Sequence, residues 1–132
     1  MNRTTAFQSL HDIGAAAWFG GSLMGAIGLN AAADAVVDPA ERDQVASAGW
    51  NRWTPVFRAA AVAHLLGSVG LLWTERNRAS TVKLAITTMA VGAQAGTVVL
   101  GSRDSKQAVH ALEWAIPALM AAVVLVGAQR DD

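Results

Sequence analysis

Four apolar runs, separated by short polar stretches, divide the chain. They cover about residues 12–33, 54–73, 81–101 and 108–128. Each is close to the ~20 residues that a helix with a ~1.5 Å rise needs to cross a ~30 Å hydrocarbon layer. The charged residues collect between the runs and at the C-terminus. This pattern predicts an all-α fold: an integral-membrane four-helix bundle forming a single domain over all 132 residues.

The polar stretches carry start and stop signals. Thr5-Ala-Phe-Gln8 has the spacing of a capping box and predicts that the first helix starts after Thr5. Asp38-Pro-Ala-Glu41 combines a capping aspartate, a proline at the first helical position and a glutamate three residues after the cap. It predicts one short amphipathic helix, ending near Gly49 and lying at the membrane surface between helices 1 and 2. Trp53 and Trp73 bracket the second run as interface anchors, since tryptophan favours both faces of a bilayer. Ser80 is the expected cap of the third helix, and Asp104-Ser-Lys-Gln107 is a second capping box that opens the fourth. Pro117 predicts a kink within that last helix.

Composition sharpens this picture. Hydrophobic residues make up 53% of the chain and charged residues 15%, against about a quarter charged in soluble domains. The absence of cysteine removes disulfides, zinc–thiolate sites and iron–sulfur clusters. Ten basic and ten acidic side chains give zero net charge with no basic run, which argues against nucleic acid as a partner. The expected location is a bacterial inner membrane, with lipid as one partner. With the N-terminus inside, Arg3, Arg76, Arg78, Lys83 and Arg130 face inwards, and Arg42, Arg52, Arg103 and Lys106 face outwards, with Arg58 a turn inside the span on that outer side. The positive-inside rule barely separates the two orientations, and the expected one has both termini in the cytoplasm. The near balance leaves a dual-topology dimer open.

Small residues recur at helical spacing: Gly14, Ala17, Gly21, Gly25 and Gly28 in helix 1, Ala63 and Gly67 in helix 2, Gly92 and Gly96 in helix 3. Such faces let helix backbones approach closely. They predict tight packing within the bundle, and their surplus over what four short spans need suggests a face for another subunit or a second copy. The first of these helices carries His11, then six residues, then Trp18-Phe-Gly-Gly21. This stretch resembles the first helix of copper-resistance D (CopD)-type bacterial membrane domains, and is similar to that of small uncharacterised four-helix inner-membrane proteins. The resemblance implies a polytopic inner-membrane protein in which His11 is the residue to test. It does not bring copper handling with it, because Met24, Met89 and Met120 are scattered and no histidines or methionines pair in the sequence.

Polar groups inside a membrane are costly and mark candidate sites. Counted at ~1.5 Å per residue, His11, His64 and His110 fall at three depths roughly 15 Å apart, which predicts that they do not share one site within a copy. His64 is expected to hydrogen-bond within the bundle, to Ser68, or to face its own mate in a dimer. Asn30, Arg58, Gln94, His110 and Glu113 instead converge near the outer end, and an Arg58–Glu113 ion pair is expected there. The convergence predicts either a polar clasp or a small cavity for a head group, an ion or a quinone.

No nucleophile elbow, P-loop, HExxH or cofactor fingerprint occurs. No metal site and no cofactor are predicted. The first expectation for function is a non-catalytic accessory or scaffold subunit of a membrane complex. The alternatives are a homodimeric channel or transporter for a small ion or molecule, resting on the outer polar cluster, and a haem- or quinone-holding anchor, resting on His64.

Overall fold

The computed structural model of the chain describes residues 2–75, 78–103 and 105–128. Helix α1 (Arg3–Met24) passes into a π-helical turn (Gly25–Leu29) and on into α2 (Asn30–Asp34) without a break. Helices α3 (Pro39–Glu75), α4 (Arg78–Gly101) and α5 (Lys106–Ala128) follow. Among the described residues the fold is all-helical, and α3, α4 and α5 are long and apolar enough to cross a membrane. The first rod is not among those three. Its apolar residues are mainly alanine and glycine, and the π turn interrupts it at Gly25.

The caps show why the helices begin where they do. The side-chain oxygen of Asn2 accepts the Thr5 backbone N–H at 2.8 Å, and also the Thr5 hydroxyl at 2.8 Å. The start therefore lies at Arg3, earlier than the capping box at Thr5 predicts, because asparagine caps as well as threonine and the Thr5 side chain is already engaged. Asp38 caps α3 as expected, accepting from Ala40 N at 2.8 Å and Glu41 N at 3.1 Å. The Arg42 guanidinium folds back to the Val36 carbonyl at 3.0 Å and ties down the preceding turn.

The separate surface helix, however, does not exist. It is the N-terminal part of α3, which runs for 37 residues, about 55 Å. Gly49 does not end the helix. It makes room for Leu29, whose side chain would lie 2.5 Å from a methyl placed there. Pro55 also stays inside α3, and nearby the Thr54 hydroxyl binds the Trp50 carbonyl at 2.9 Å. Ser80 is likewise no cap, since α4 begins at Arg78 and Ser80 is buried in its first turn. Helix α5 continues through Pro117 to Ala128. Asp104, Arg76 and Arg130, and with them the second capping box and part of the orientation count, lie outside the described residues.

Helix α1 packs along α3 on one side and α5 on another, while α4 packs mainly on α5 and touches α3 more lightly. The α1–α3 seam is antiparallel and built on glycine. A methyl at Gly14 would come within 2.5 Å of the His64 backbone nitrogen and 2.6 Å of the Ala60 carbonyl oxygen. Gly67 returns the contact against the His11 nitrogen and the Phe7 carbonyl. Further along, Trp53 lies on Gly21 and Trp50 on Gly25, while Phe7 lies on Gly70. Trp53 is therefore turned into the seam and half-buried, whereas Trp73 is 79% exposed. The expected tryptophan bracket is not symmetric, because the glycine opposite Trp53 offers the ring a slot. Ala17 and Ala63 are half-buried, Gly96 meets Leu112 of α5, and Gly28 is covered by its own neighbour Met24. Beside the seam, Trp18, Ala15, Ala60, Ala61, Ala90, Ile116 and Met120 form the core, with Trp18 edge-on to Phe57 at 5.2 Å.

Gly14 and Gly92 should respond oppositely to a larger side chain. Gly14→Val is expected to lower stability by about 1–3 kcal/mol, because the obstructing atoms are backbone and cannot rotate away. Gly92→Ala meets nothing within 4 Å and should leave stability unchanged or raise it by up to about 1 kcal/mol. Unfolding of the two variants in detergent micelles checks both.

Candidate functional site

Two groups of polar side chains lie within the bundle. The first gathers at the end where α1 begins. The seam that sets Gly14 against His64 and Gly67 against His11 brings the two imidazoles together, with ring centroids 4.4 Å apart and planes tilted by 43°. His11 and His64 thus share one level, contrary to the separation expected from counting along each helix. That count took Trp53 and Trp73 as the ends of the second span, but α3 extends well before Trp53, and the glycine contacts set the register. His110 alone lies elsewhere, on α5, with its side chain 64% exposed.

The bonding around His64 defines its tautomer. Its Nδ1 lies 3.0 Å from the His11 carbonyl oxygen, which only accepts, so Nδ1 carries the proton and donates. In the neutral ring Nε2 then accepts, and the Thr87 hydroxyl from α4 donates to it at 2.8 Å. Ser68, the expected partner, instead binds the His64 backbone carbonyl at 2.8 Å. A hydroxyl donating to an imidazole is the arrangement of an activated nucleophile. Here both side chains have 0% exposure, so a substrate does not reach them. The bonds act as a strut joining α1, α3 and α4. With both ring nitrogens occupied and the ring enclosed, His64 is also not placed to meet its own mate across a dimer.

Around this strut, His11 Nδ1 lies 2.9 Å from the carboxylate of Asp12, which also accepts from Gln8 at 2.7 Å. Lys83, one turn before Thr87 on α4, is 9% exposed and reaches towards Gly127 near the end of α5, where the partial negative charge of the helix terminus favours a cation. His11 Nε2 and Trp18 Nε1 are buried without a hydrogen-bond partner among the described residues. Sequence reasoning did not pick out Thr87, Lys83 or Trp18 as members. The available signal was the Lys83–Thr87 spacing, which sets a cation and a hydroxyl on one helix face inside an apolar run.

The second group lies towards the opposite end. The π turn carries an extra residue, which shifts helical phase by about 100° just ahead of Asn30. The Asn30 amide then donates to Glu113 Oε2 of α5 at 2.8 Å. His110 Nδ1 lies 3.8 Å from the same oxygen. Gln94 and Thr97 of α4, which bond to each other, line a cavity of about 260 Å³ together with Glu113, Trp50, Thr54 and Ser22. Asn30, Gln94, His110 and Glu113 are thus brought close to one another. Arg58 is not among them. It is exposed and makes no ion pair with Glu113. The six residues separating it from His64 amount to about one and two-thirds turns, which carries it a third of a turn away from the packed face of α3.

No known protein family matches the chain, and no curated protein or solved structure is similar to it. The class that the fold supports is an all-helical protein with three apolar helices of membrane-spanning length. Of the residues carrying the CopD-type resemblance, His11 lies against His64, Trp18 is edge-on to Phe57 and Gly21 lies under Trp53, while Gly20 is exposed and a methyl there would meet nothing within 4 Å.

Thr87 separates hydrogen bonding from shape. Thr87→Val keeps the volume but leaves His64 Nε2 without a donor in the interior, and is expected to cost about 1–3 kcal/mol. Thr87→Ser keeps the hydroxyl and should cost clearly less. Equal losses in an unfolding titration would mean that the methyl group, not the bond, holds the strut.

Proposed function

We propose that the protein is a non-catalytic accessory or scaffold subunit of a bacterial membrane complex, inserted with the α1–α2 rod as a fourth span and both termini on the cytoplasmic side. The supporting observation is the outward face of α4. Ala85, Thr88, Gly92 and Ala95 follow one another at spacings of three and four residues and are all exposed. Lipid-facing positions need only be apolar, whereas small side chains at this spacing are what a close helix–helix seam uses. The Thr88 hydroxyl is satisfied by the Leu84 carbonyl at 2.9 Å, so the face offers shape without an unpaired polar group. The exposed Val82, Met89, Val91 and Val98 flank it.

The homodimeric channel or transporter remains the second reading, favoured by the cavity beside Glu113. The redox anchor loses its main support, since the ring nitrogens of His64 are both engaged within the protein.

Native mass spectrometry of the gently extracted particle distinguishes these readings. An accessory subunit should appear with a second polypeptide of different mass, and Gly92→Leu should release the 13.7 kDa chain without changing its own unfolding. A particle built only of copies of this chain would overturn the accessory reading in favour of the homo-oligomer.

A further inference from the structure

We propose that the cavity beside Glu113 binds a small organic cation, such as an alkyl- or arylammonium group. This site is inferred without the docking face on α4, which it adjoins at Val98. The argument begins with charge. The Glu113 side chain is only 19% exposed, and its one hydrogen bond comes from the neutral amide of Asn30, to Oε2. Among the described residues Oε1 has no donor. Glu113 lies two turns into α5, beyond the first turn where the helix terminus stabilises an anion. Arg58 is turned away. His110 stands at 3.8 Å with its side chain 64% exposed, a rim neighbour screened by water rather than a buried counter-charge. A half-buried carboxylate that lines a cavity and has no cation against it among the described residues offers its charge to a cation from outside the chain.

The lining indicates which kind. Among the described residues no three histidine or acidic side chains gather to hold a metal ion, and hard cations need several oxygen ligands at once. The walls instead include the Trp50 indole with the aliphatic Val98, Val109 and Ile116, and the remaining polar lining, Ser22, Thr54, Gln94 and Thr97, is uncharged. The Thr54 and Thr97 hydroxyls already donate to the Trp50 and Gln94 carbonyls. A carboxylate opposite an aromatic ring and aliphatic surface recognises an ammonium group bearing carbon substituents, by charge and by cation–π attraction. A volume of about 260 Å³ lies just below the ~300 Å³ lower end for drug-sized ligands, so the occupant is small.

The test titrates the purified 132-residue chain in micelles with benzyltrimethylammonium, using calorimetry with empty-micelle blanks. Neopentylbenzene, its uncharged shape analogue, is measured in parallel. Saturable binding of the cation is expected, with the neutral analogue at least about tenfold weaker. Because this comparison uses the unmodified chain, it does not depend on how a variant folds. Glu113→Gln, which keeps an acceptor for Asn30, should weaken the cation by about tenfold or more, and Trp50→Phe by less. Absence of saturable binding to the wild type would overturn the proposal. So would equal binding of the neutral analogue, which would make the cavity a general apolar slot, or unchanged affinity in a folded Glu113→Gln.

Discussion

The close approach of α1 and α3 at Gly14 and Gly67 is the constraint on which the rest depends. Each glycine lies against backbone atoms of the opposite helix, so the two rods touch main chain to main chain at this point. In a bilayer, lipid tails are as apolar as leucine, so helices associate through such contact and through interhelical hydrogen bonds. The seam supplies both. It lets His64 reach the His11 carbonyl, and Thr87 of α4 is recruited through the other ring nitrogen. Trp18, one side of the same helix, fills the space that the seam leaves towards α5.

The two polar groups differ in ways that follow from their place along this seam. At the His11–His64 end the helices are close, the imidazoles are enclosed, and the bonds of His64 are spent on holding three helices together. Towards the other end glycines still face α3, but they receive the large rings of Trp50 and Trp53 rather than backbone. The π turn redirects Asn30 to Glu113, and the space between α3, α4 and α5 stays open. Tight packing produces a strut at one end, and looser packing around aromatic rings produces a cavity at the other.

The outer surface shows a similar asymmetry. The alanine- and glycine-rich first rod is covered on two sides, whereas α4 leans on α5 and leaves a face of small residues uncovered. Small residues therefore do two jobs in one chain. Gly14, Gly21 and Gly25 of the first rod are consumed in the seam with α3, whereas Ala85, Thr88, Gly92 and Ala95 of α4 are exposed. The cavity and the uncovered face adjoin at Val98, which lines the one and flanks the other.

The helical class, the positions of the apolar runs and the Asp38 cap were legible in the sequence, because hydrophobic run length and capping chemistry are local. So was the convergence of Asn30, Gln94, His110 and Glu113 at one end, which needs only helix direction and depth. What required the tertiary structure was register and phase. The surface helix merged into α3 because Gly49 and Pro55, breakers by local rules, were accommodated by Leu29 and by the helix itself. Arg58 missed Glu113 because depth along a helix says nothing of which way a side chain faces. His11 met His64 because two glycines on different helices set the sliding position of α1 against α3. That position is a property of the pair of surfaces, and neither helix encodes it alone.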